Sequence, residues 1–465
     1  MSENPSASPR AVIVGAGPSG FYAADQLLNL GFEVDVLDAL PTPFGLVRAG
    51  VAPDHPKIKA VTRVYEKTAR KDGFRFFGGI VLGRDITRAE LLERYHVVLY
   101  ALGTSDDNRL GIPGEDRPGV HGATQFVAWY NGHPDAADHA YDLTCDRAVV
   151  IGNGNVAIDV ARMLVLHPDE LTPTDTADHA IDAFRESQIR EVVLLGRRGP
   201  AQAAFTNPEL RELADLQRAG VVVDVTDLEL DEHSAAWLAS DASGITARKN
   251  VEILNTYATD GPKDASHRIV LRFLRSPVEI LGEGEDGPVT GVRVVRNEIV
   301  PGNGALRAVA TGDEEVIEAG LVLRSIGYRG KPVGDVPFDE RRGLIRNEGG
   351  RVSAESGDAH AGEYVVGWIK RGPSGVIGTN KKDAADTTAK IAEDRDAGKL
   401  NTPTIDDPEE IAAFYAERAP ESVTWAGWEA IDAHERTSGE PHGRPRVKLV
   451  RLADLVERSR ATNAG

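Results

Sequence analysis

The 465-residue sequence contains a single cysteine, Cys145. One thiol excludes an intrachain disulfide, a CxxC redox pair and a cysteine-ligated iron–sulfur cluster, so any redox chemistry here depends on a bound cofactor. No uninterrupted apolar run reaches the roughly 18 residues that a membrane helix needs, and the opening "MSENPSASPR" is polar, without the apolar segment of a secretory leader. These features predict a cytoplasmic chain with a frayed N-terminus and no membrane partner. Positive charge is also in deficit: 53 Lys and Arg stand against 72 Asp and Glu, a formal charge of −19. That balance argues against nucleic acid as the main partner and for solubility.

The remaining composition, 41% apolar and 27% charged, is ordinary for a globular protein, and the length exceeds what one core organises, so two or three domains are expected. "RAVIVGAG" is a β-branched run ending in glycine. "PSGFYAADQLLNLG" follows with helical apolar spacing and stops at Gly31, and "FEVDVLD" reads as a second buried strand. The same order returns in "RAVVIGNG", "NVAIDVARMLVL" and "EVVLLGRR", with residues 167–188 lengthening the path between helix and second strand. Two nucleotide-binding units of Rossmann type follow from this repetition.

The first turn, Gly15-Ala16-Gly17-Pro18-Ser19-Gly20, has the GxGxxG spacing. Its first glycine permits a tight turn, its second admits a pyrophosphate against the backbone, and its third lets helix pack on strand. Asp38 ends the second strand, where an acid accepts hydrogen bonds from an unmodified ribose. The second turn, Gly152-Asn153-Gly154-Asn155-Val156-Ala157, closes with alanine, a permitted variant, and its second strand ends in Arg197 and Arg198 instead of an acid. Guanidinium groups bind a 2′-phosphate that a carboxylate would repel. The expected cofactors are therefore FAD at the first turn and NADP(H) at the second, a pairing that implies hydride transfer.

Elsewhere, "YHVVLYALGT" and "LVLRSIGY" are similar strand ends on either side of the second unit and read as crossing points between domains. Alternation from about 221 to 310 suggests antiparallel strands, without a readable motif. "HPKIKAVTRVYEKTARK" carries six basic residues against one acid, with Lys59, Arg63, Lys67 and Lys71 four apart. On one helix they would share a face, either simply solvated or serving as a docking ridge for an acidic electron carrier. Arg444, Arg446 and Lys448, or Lys370 with Arg371, are equally available for docking.

"LPTPFGLVRAGVAPDHPKIK", "VVIGNGNVAIDVAR", "VVLLGRRGPAQAAFT", "ELRELADL" and "YVVGWIKRGPSGVIGTNKKDA" together resemble the adrenodoxin-reductase type of ferredoxin:NADP reductase, found in mitochondria and actinobacteria. The resemblance implies an α/β fold with two Rossmann-like domains, the NADP domain (107–327) inserted into a discontinuous FAD domain (1–106 and 328–465). It further implies hydride transfer from NADPH to flavin and single electrons to a ferredoxin. Flavodoxin is the other candidate carrier, and a monomer is the expected state.

Transferred by position, the resemblance implies FAD contacts at Gly15, Ala16, Gly17, Pro18, Ser19, Asp38, Leu46, Leu82, Trp368, Gly375, Val376 and Ile377. NADP contacts would fall on Asn153, Gly154, Asn155, Val156, Arg197, Arg198, Glu209 and Gly375. His55 and Glu212 match a histidine and glutamate near the nicotinamide and flavin, where they would position groups or handle a proton. A capping histidine and a helix-surface acid are the plainer readings of the two. Trp368, expected to end a strand, would stack on or edge the isoalloxazine or simply fill core. Where some members carry a linker arginine, this chain has Asn108 beside Arg109. A flavin monooxygenase and a non-enzymatic flavin-binding scaffold remain the alternative functions, whereas the cysteine count removes disulfide reductases and the glutamate synthase small subunit.

Overall fold

The computed structural model describes residues 8–104, 106–302, 305–375 and 377–461. They divide into two compact units, one bounded as Met1–Asp106, Asn131–Pro134 and Tyr328–Gly465, the other as Asp107–Tyr130 and Asp135–Gly327.

The first unit starts with β1 (Arg10–Val14), α1 (Pro18–Asn29) and β2 (Glu33–Asp38). β1 is buried along its whole length because it lies between two parallel neighbours, β2 and a later strand, with both of its faces covered. Pro18 occupies the first turn of α1, where its missing N–H costs nothing, and Gly31 ends the run with φ +85. Between these limits Phe21, Ala24 and Leu27 are fully buried, and the Phe21 ring lies 5.1 Å from that of Tyr65 and 5.4 Å from that of Phe44.

Three helices follow, α2 (Leu46–Ala49), α3 (Pro56–Lys59) and α4 (Thr62–Ala69), and then β3 (Phe74–Gly78) and β4 (Val97–Tyr100). The expected single basic helix is thus broken. Arg63 N–H bonds to the Ala60 carbonyl and Val64 N–H to that of Val61, both three residues back, and these tighter bonds shift the phase of the face. Lys71 lies beyond α4 and pairs with Asp25 at 2.7 Å, while Lys59 donates to Asn131 at 3.2 Å. Arg63, Lys67 and Arg70 stay exposed at i, i+4 and i+7.

The second unit repeats the plan. β5 (Val120–Gly122) precedes β6 (Arg147–Ile151), α5 (Asn155–Val165), β7 (Glu191–Leu195), α6 (Asn207–Asp215), β8 (Ala219–Val223) and β9 (His267–Arg272). β10 (Arg275–Gly282), β11 (Val289–Pro301) and β12 (Leu306–Glu318) form a separate antiparallel sheet, and β13 (Leu321–Arg324) returns to the main one. That main sheet has the order β5-β13-β6-β7-β9-β8, every pairing parallel. The antiparallel expectation for 221–310 therefore fails in part. "HRIVLR" is a central parallel strand and α7 (Gly244–Asp260) is a helix, so only the part from Arg275 onward is antiparallel. Burial along this strand alternates as it would in an antiparallel one, so its six-residue pattern does not reveal the two parallel neighbours that flank it.

The chain then completes the first unit with β14 (Asn347–Glu348), β15 (Arg351–Ser353), β16 (Ala359–Val365), α8 (Trp368–Arg371), α9 (Ile377–Asp396) and β17 (Val423–Thr424). Its sheet runs β14-β15-β16-β4-β1-β2-β3-β17. Trp368 opens a one-turn helix instead of ending a strand, since β16 stops at Val365 and Gly367 turns the chain with φ +82.

The polar C-terminal stretch is less peripheral than its composition suggests. Glu435, on the helix Trp425–Gly439, is fully buried and accepts from Arg48 of α2 at 2.6 and 2.8 Å and from Arg446 at 3.1 Å. Burial alone would raise its carboxyl, but the Arg48 and Arg446 charges hold it below the usual range. Removing one partner of such a group leaves an uncompensated buried charge, so Glu435→Ala should lower stability by about 3–5 kcal/mol. Chemical denaturation of both proteins measures this, and a loss below about 1 kcal/mol, the worth of a surface pair, would contradict it.

Candidate functional site

Each unit presents a strand, a glycine turn and a helix, and the two turns share their geometry. In the first, Gly15 has φ +116, and a Cβ there would stand 2.3 Å from the carbonyl oxygen of Ala101, the residue after β4. In the second, Gly152 has φ +136, and a Cβ would stand 2.1 Å from the Ser325 carbonyl oxygen, just after β13. Both contacts lie where the strand order reverses, between β1 and β4 and between β6 and β13. In open parallel sheets, ligands bind beyond the carboxyl ends of the strands at this reversal.

The second glycine of each turn differs from the first. A Cβ on Gly17 or Gly154 would meet nothing within 4 Å, so these positions open onto free space. Gly20 would drive a Cβ to 2.1 Å from the Gly15 carbonyl oxygen. Its counterpart Ala157 carries a methyl group and is fully buried, so the second unit leaves slightly more room between helix and strand. Neither Gly17 nor Gly154, each the N-cap of its helix, supplies a side-chain cap, which leaves the first N–H groups of α1 and α5 for an anion. Pro18 and Ser19 form the first turn of α1, Asn155 and Val156 that of α5.

Asp38 ends β2 as expected. Its carboxylate accepts from Ala16 N–H at 2.8 Å and Leu40 N–H at 2.9 Å, which leaves lone pairs for a ribose. Part of the residue reaches the surface, but the carboxyl itself is desolvated. Burial pushes it up to about 6 against the pull of those two donors. Leu46 is 46% exposed at the start of α2, beside Gly45, where a Cβ would come within 3.1 Å of the Gly17 Cα. Leu82, in contrast, is nearly fully buried, with its side chain in the core beside Phe77 and Ile80.

Trp368 stacks on Tyr328, with ring centroids 5.8 Å apart and planes at 21°, and its buried indole N–H has no hydrogen-bond partner among the described residues. The preceding Gly367 N–H donates to Asp383 of α9 at 2.6 Å, and a Cβ on Gly367 would strike Ser19 Oγ. Asp383 also meets Lys370 at 2.9 Å. Sequence alone does not single it out, because nothing in "NKKDAAD" marks one acid as buried. Gly375, with φ +82, leads into α9; Ile377 opens that helix half-buried, and Val376 lies outside the described residues.

In the second unit Arg197 and Arg198 are exposed, and among the described residues neither pairs with a carboxylate. Partial desolvation and the neighbouring Arg197 charge lower the Arg198 guanidinium from its ordinary value. Two unneutralised cations held side by side make a site that an anion would relieve. Asn153 lies close by, since a Cβ on Gly196 would come 2.8 Å from its Nδ2. Asn155 Oδ1 accepts from Thr206 N–H at 2.8 Å, and the Thr206 hydroxyl donates to Glu209 in the first turn of α6.

His55 belongs to the first unit and Glu212 to the second. His55 is the N-cap residue of α3, makes no side-chain cap bond and lies 4.0 Å from Asp54. Glu212, on α6, sits 3.7 Å from Arg162 of α5. Arg109 contacts Asp116 at 2.6 Å and Glu115 at 3.3 Å, and Asn108 bonds to the backbone of Gly327 and Ile326. Among the described residues no cluster suits a metal ion, and no helix is long and apolar enough to cross a membrane.

Comparison with known proteins bears on both turns. The pyridine nucleotide-disulphide oxidoreductase family matches residues 9–196. "NADPH-ferredoxin reductase FprA" of Mycobacterium leprae (strain TN) is 50% identical over 456 residues, covering 96% of this chain and 97% of its own. "NADPH:adrenodoxin oxidoreductase, mitochondrial" of Salvelinus fontinalis is 39% identical over 472 residues, covering 99% and 93%. The solved structure "Mycobacterium tuberculosis FprA in complex with NADPH" superposes with a TM-score of 0.90 at 48% identity, covering 97% of this chain and 99% of that one.

The Asp38 environment has a pH consequence. With its carboxyl near 6 in the free protein against 3.8 for the ordinary group, Asp38 favours the empty folded state at low pH, an advantage lost as pH rises through about 6. A ribose held by Asp38 would donate to the ionised form, so FAD affinity should fall as pH drops through about 6, and Asp38→Asn should flatten that dependence. Fluorescence titration of the apoprotein between pH 5 and 8, roughly the span over which such a group changes charge, checks both. A slope that survives in Asp38→Asn would assign it to another group.

Proposed function

The chain belongs to the NADPH-ferredoxin reductase family, which includes the adrenodoxin reductases, and we propose that it moves hydride between NADPH and FAD and single electrons between FAD and a ferredoxin-type carrier. The observation that carries this reading is the contrast between the groups closing the two turns: a desolvated acid, Asp38, in one and, in the other, Arg197 and Arg198, which pair with no carboxylate among the described residues.

FAD is assigned to Gly15 to Ser19 and Asp38, with Leu46, Leu82, Trp368, Gly375, Val376 and Ile377 around the rest of the molecule. The residues present fit it: a turn that opens at Gly17, an acid with lone pairs left for a ribose and an indole N–H without a partner among the described residues. NADP is assigned to Asn153 to Val156, Arg197, Arg198 and Glu209, and Gly375 is assigned to it as well. Bound FAD supplies the ability to take two electrons as hydride and give them up one at a time, which a carrier limited to single electrons requires.

The protein's own groups do the rest. Backbone N–H groups at the starts of α1 and α5 hold the pyrophosphates, and Arg197 with Arg198 selects the 2′-phosphate. His55 is assigned to hold or release a proton near the flavin and Glu212 to orient the nicotinamide. Neither needs to act as a nucleophile, because the chemistry the bound cofactors would supply is hydride transfer. For the carrier, the exposed Arg63, Lys67 and Arg70 form a local cationic face on a chain of net charge −19. An acidic partner would be steered to such a face. The cytoplasm, where NADPH is regenerated, is the compartment this reading assigns.

Mixed anaerobically with NADPH, the flavoprotein should lose its absorbance near roughly 450 nm, and its cytochrome c reduction should require added ferredoxin and weaken with rising salt. Turnover without any carrier but with an organic substrate and oxygen would instead identify a monooxygenase. Arg197→Ala combined with Arg198→Ala should raise KM for NADPH by about two orders of magnitude and leave KM for NADH nearly unchanged. Equal effects on the two would remove the phosphate assignment.

A further inference from the structure

The stretch from 221 to 310 carries no readable motif, yet its backbone closes directly on the arginine loop. Between β9 and β10 the chain turns a corner at Leu274, which has φ +53, a left-handed conformation that only surrounding structure can impose on such a residue. The corner is braced by charge. Arg275, 7% exposed, donates from Nη1 to the carbonyls of Phe273 at 3.0 Å and Leu274 at 3.3 Å and from Nε to Glu315 at 2.6 Å. Arg272 Nε and the Phe273 N–H both donate to Asp227, at 3.1 and 3.3 Å.

Three donors, two from that corner and one from β11, reach residues 196–198. Arg275 N–H donates to the Gly196 carbonyl at 3.0 Å and Leu274 N–H to the Arg198 carbonyl at 3.2 Å. The Arg197 carbonyl is taken by a side chain: Asn297 Nδ2 donates to it at 2.8 Å. Asn297 is only 4% exposed and stands where the pairing of β11 with β12 shifts register after Val295, a bulge that turns its amide toward the loop. Its own N–H donates to the Leu274 carbonyl at 2.8 Å, and its amide also donates to Ser276 Oγ at 2.8 Å.

We propose that Asn297 is a positioning residue for cofactor selectivity: by holding the Arg197 carbonyl it sets where the Arg197 and Arg198 guanidiniums stand when a 2′-phosphate arrives. The reason is preorganisation. Two adjacent cations repel, and an untethered loop would relax by splaying them, so that binding would have to restore their geometry at the cost of affinity. With each of three successive carbonyls occupied by a donor from the corner and the bulge, the backbone is fixed while both side chains remain free for the ligand. The proposal rests on reading the arginine pair as the 2′-phosphate site.

Asn297→Asp replaces the donor by an acceptor at nearly constant size, and Asn297→Ser removes its reach. Both holoenzymes are assayed with NADPH and NADH, and titrated calorimetrically with 2′,5′-ADP and 5′-AMP. KM for NADPH and Kd for 2′,5′-ADP should rise about five- to tenfold, while kcat, KM for NADH and Kd for 5′-AMP change little. Ser276→Ala, which loosens only the second hold on the amide, should produce a smaller shift in the same ratio and serves if either Asn297 variant fails to fold. Losses that are equal for NADPH and NADH in every folded variant would make Asn297 a purely structural residue and overturn the proposal. The combined Arg197→Ala and Arg198→Ala enzyme is run alongside. If it loses its preference for NADPH while the Asn297 variants keep theirs, the proposal alone fails. If it keeps that preference, the phosphate reading fails and the proposal with it.

Discussion

The contact on which the rest of the structure depends is the one between the first glycine of each turn and a backbone carbonyl across the reversal of strand order. Gly15 stands against the Ala101 carbonyl and Gly152 against that of Ser325, each at a distance no side chain tolerates. The strands β4 and β13 can therefore lie directly beside β1 and β6, and each reversal opens beside a helix N-terminus. Without that approach the sheet could still form, but the crevice in which the free N–H groups of α1 and α5 are exposed would close or shift. The turn motif is thus half of a long-range contact whose other half is an unremarkable carbonyl some 85 residues away in one unit and twice that in the other, an order-of-magnitude separation no local pattern encodes.

Once the two crevices exist, electrostatics distinguishes them. Asp38 is expensive to keep ionised where it sits, and two backbone donors offset only part of that cost. Arg197 and Arg198 are expensive for the opposite reason, since like charges are held adjacent with no carboxylate among the described residues to neutralise them. Groups held in unfavourable electrostatic surroundings concentrate at functional sites, where a ligand supplies the missing partner.

Each crevice is supported from far along the chain. Asp383 fixes the turn before Trp368, Glu435 fixes α2 beneath Leu46, and Asn297 fixes the arginine loop. All three are nearly fully buried polar side chains with charged or backbone partners. Such groups are costly unless satisfied, so each supported segment is held in one arrangement. The basic stripe shows the converse. Lys59 and Lys71 were spaced to share a face with Arg63 and Lys67, but the break before α4 and local acceptors drew them away.

The sequence by itself determined the two strand–turn–helix units, the caps of α1, the acid closing one second strand and the guanidiniums closing the other. These follow from interactions within one supersecondary unit, where steric limits on glycine and proline, apolar periodicity and charge act between near neighbours. Tertiary structure alone decided that "HRIVLR" is a central strand, that Trp368 begins a helix and rests on Tyr328, and which of many acids and amides are buried supports. Partners such as Arg48 and Glu435, 387 residues apart, or Arg197 and Asn297, 100 apart, meet only after the sheets have formed. A polar residue looks the same in sequence whether water or the fold satisfies it.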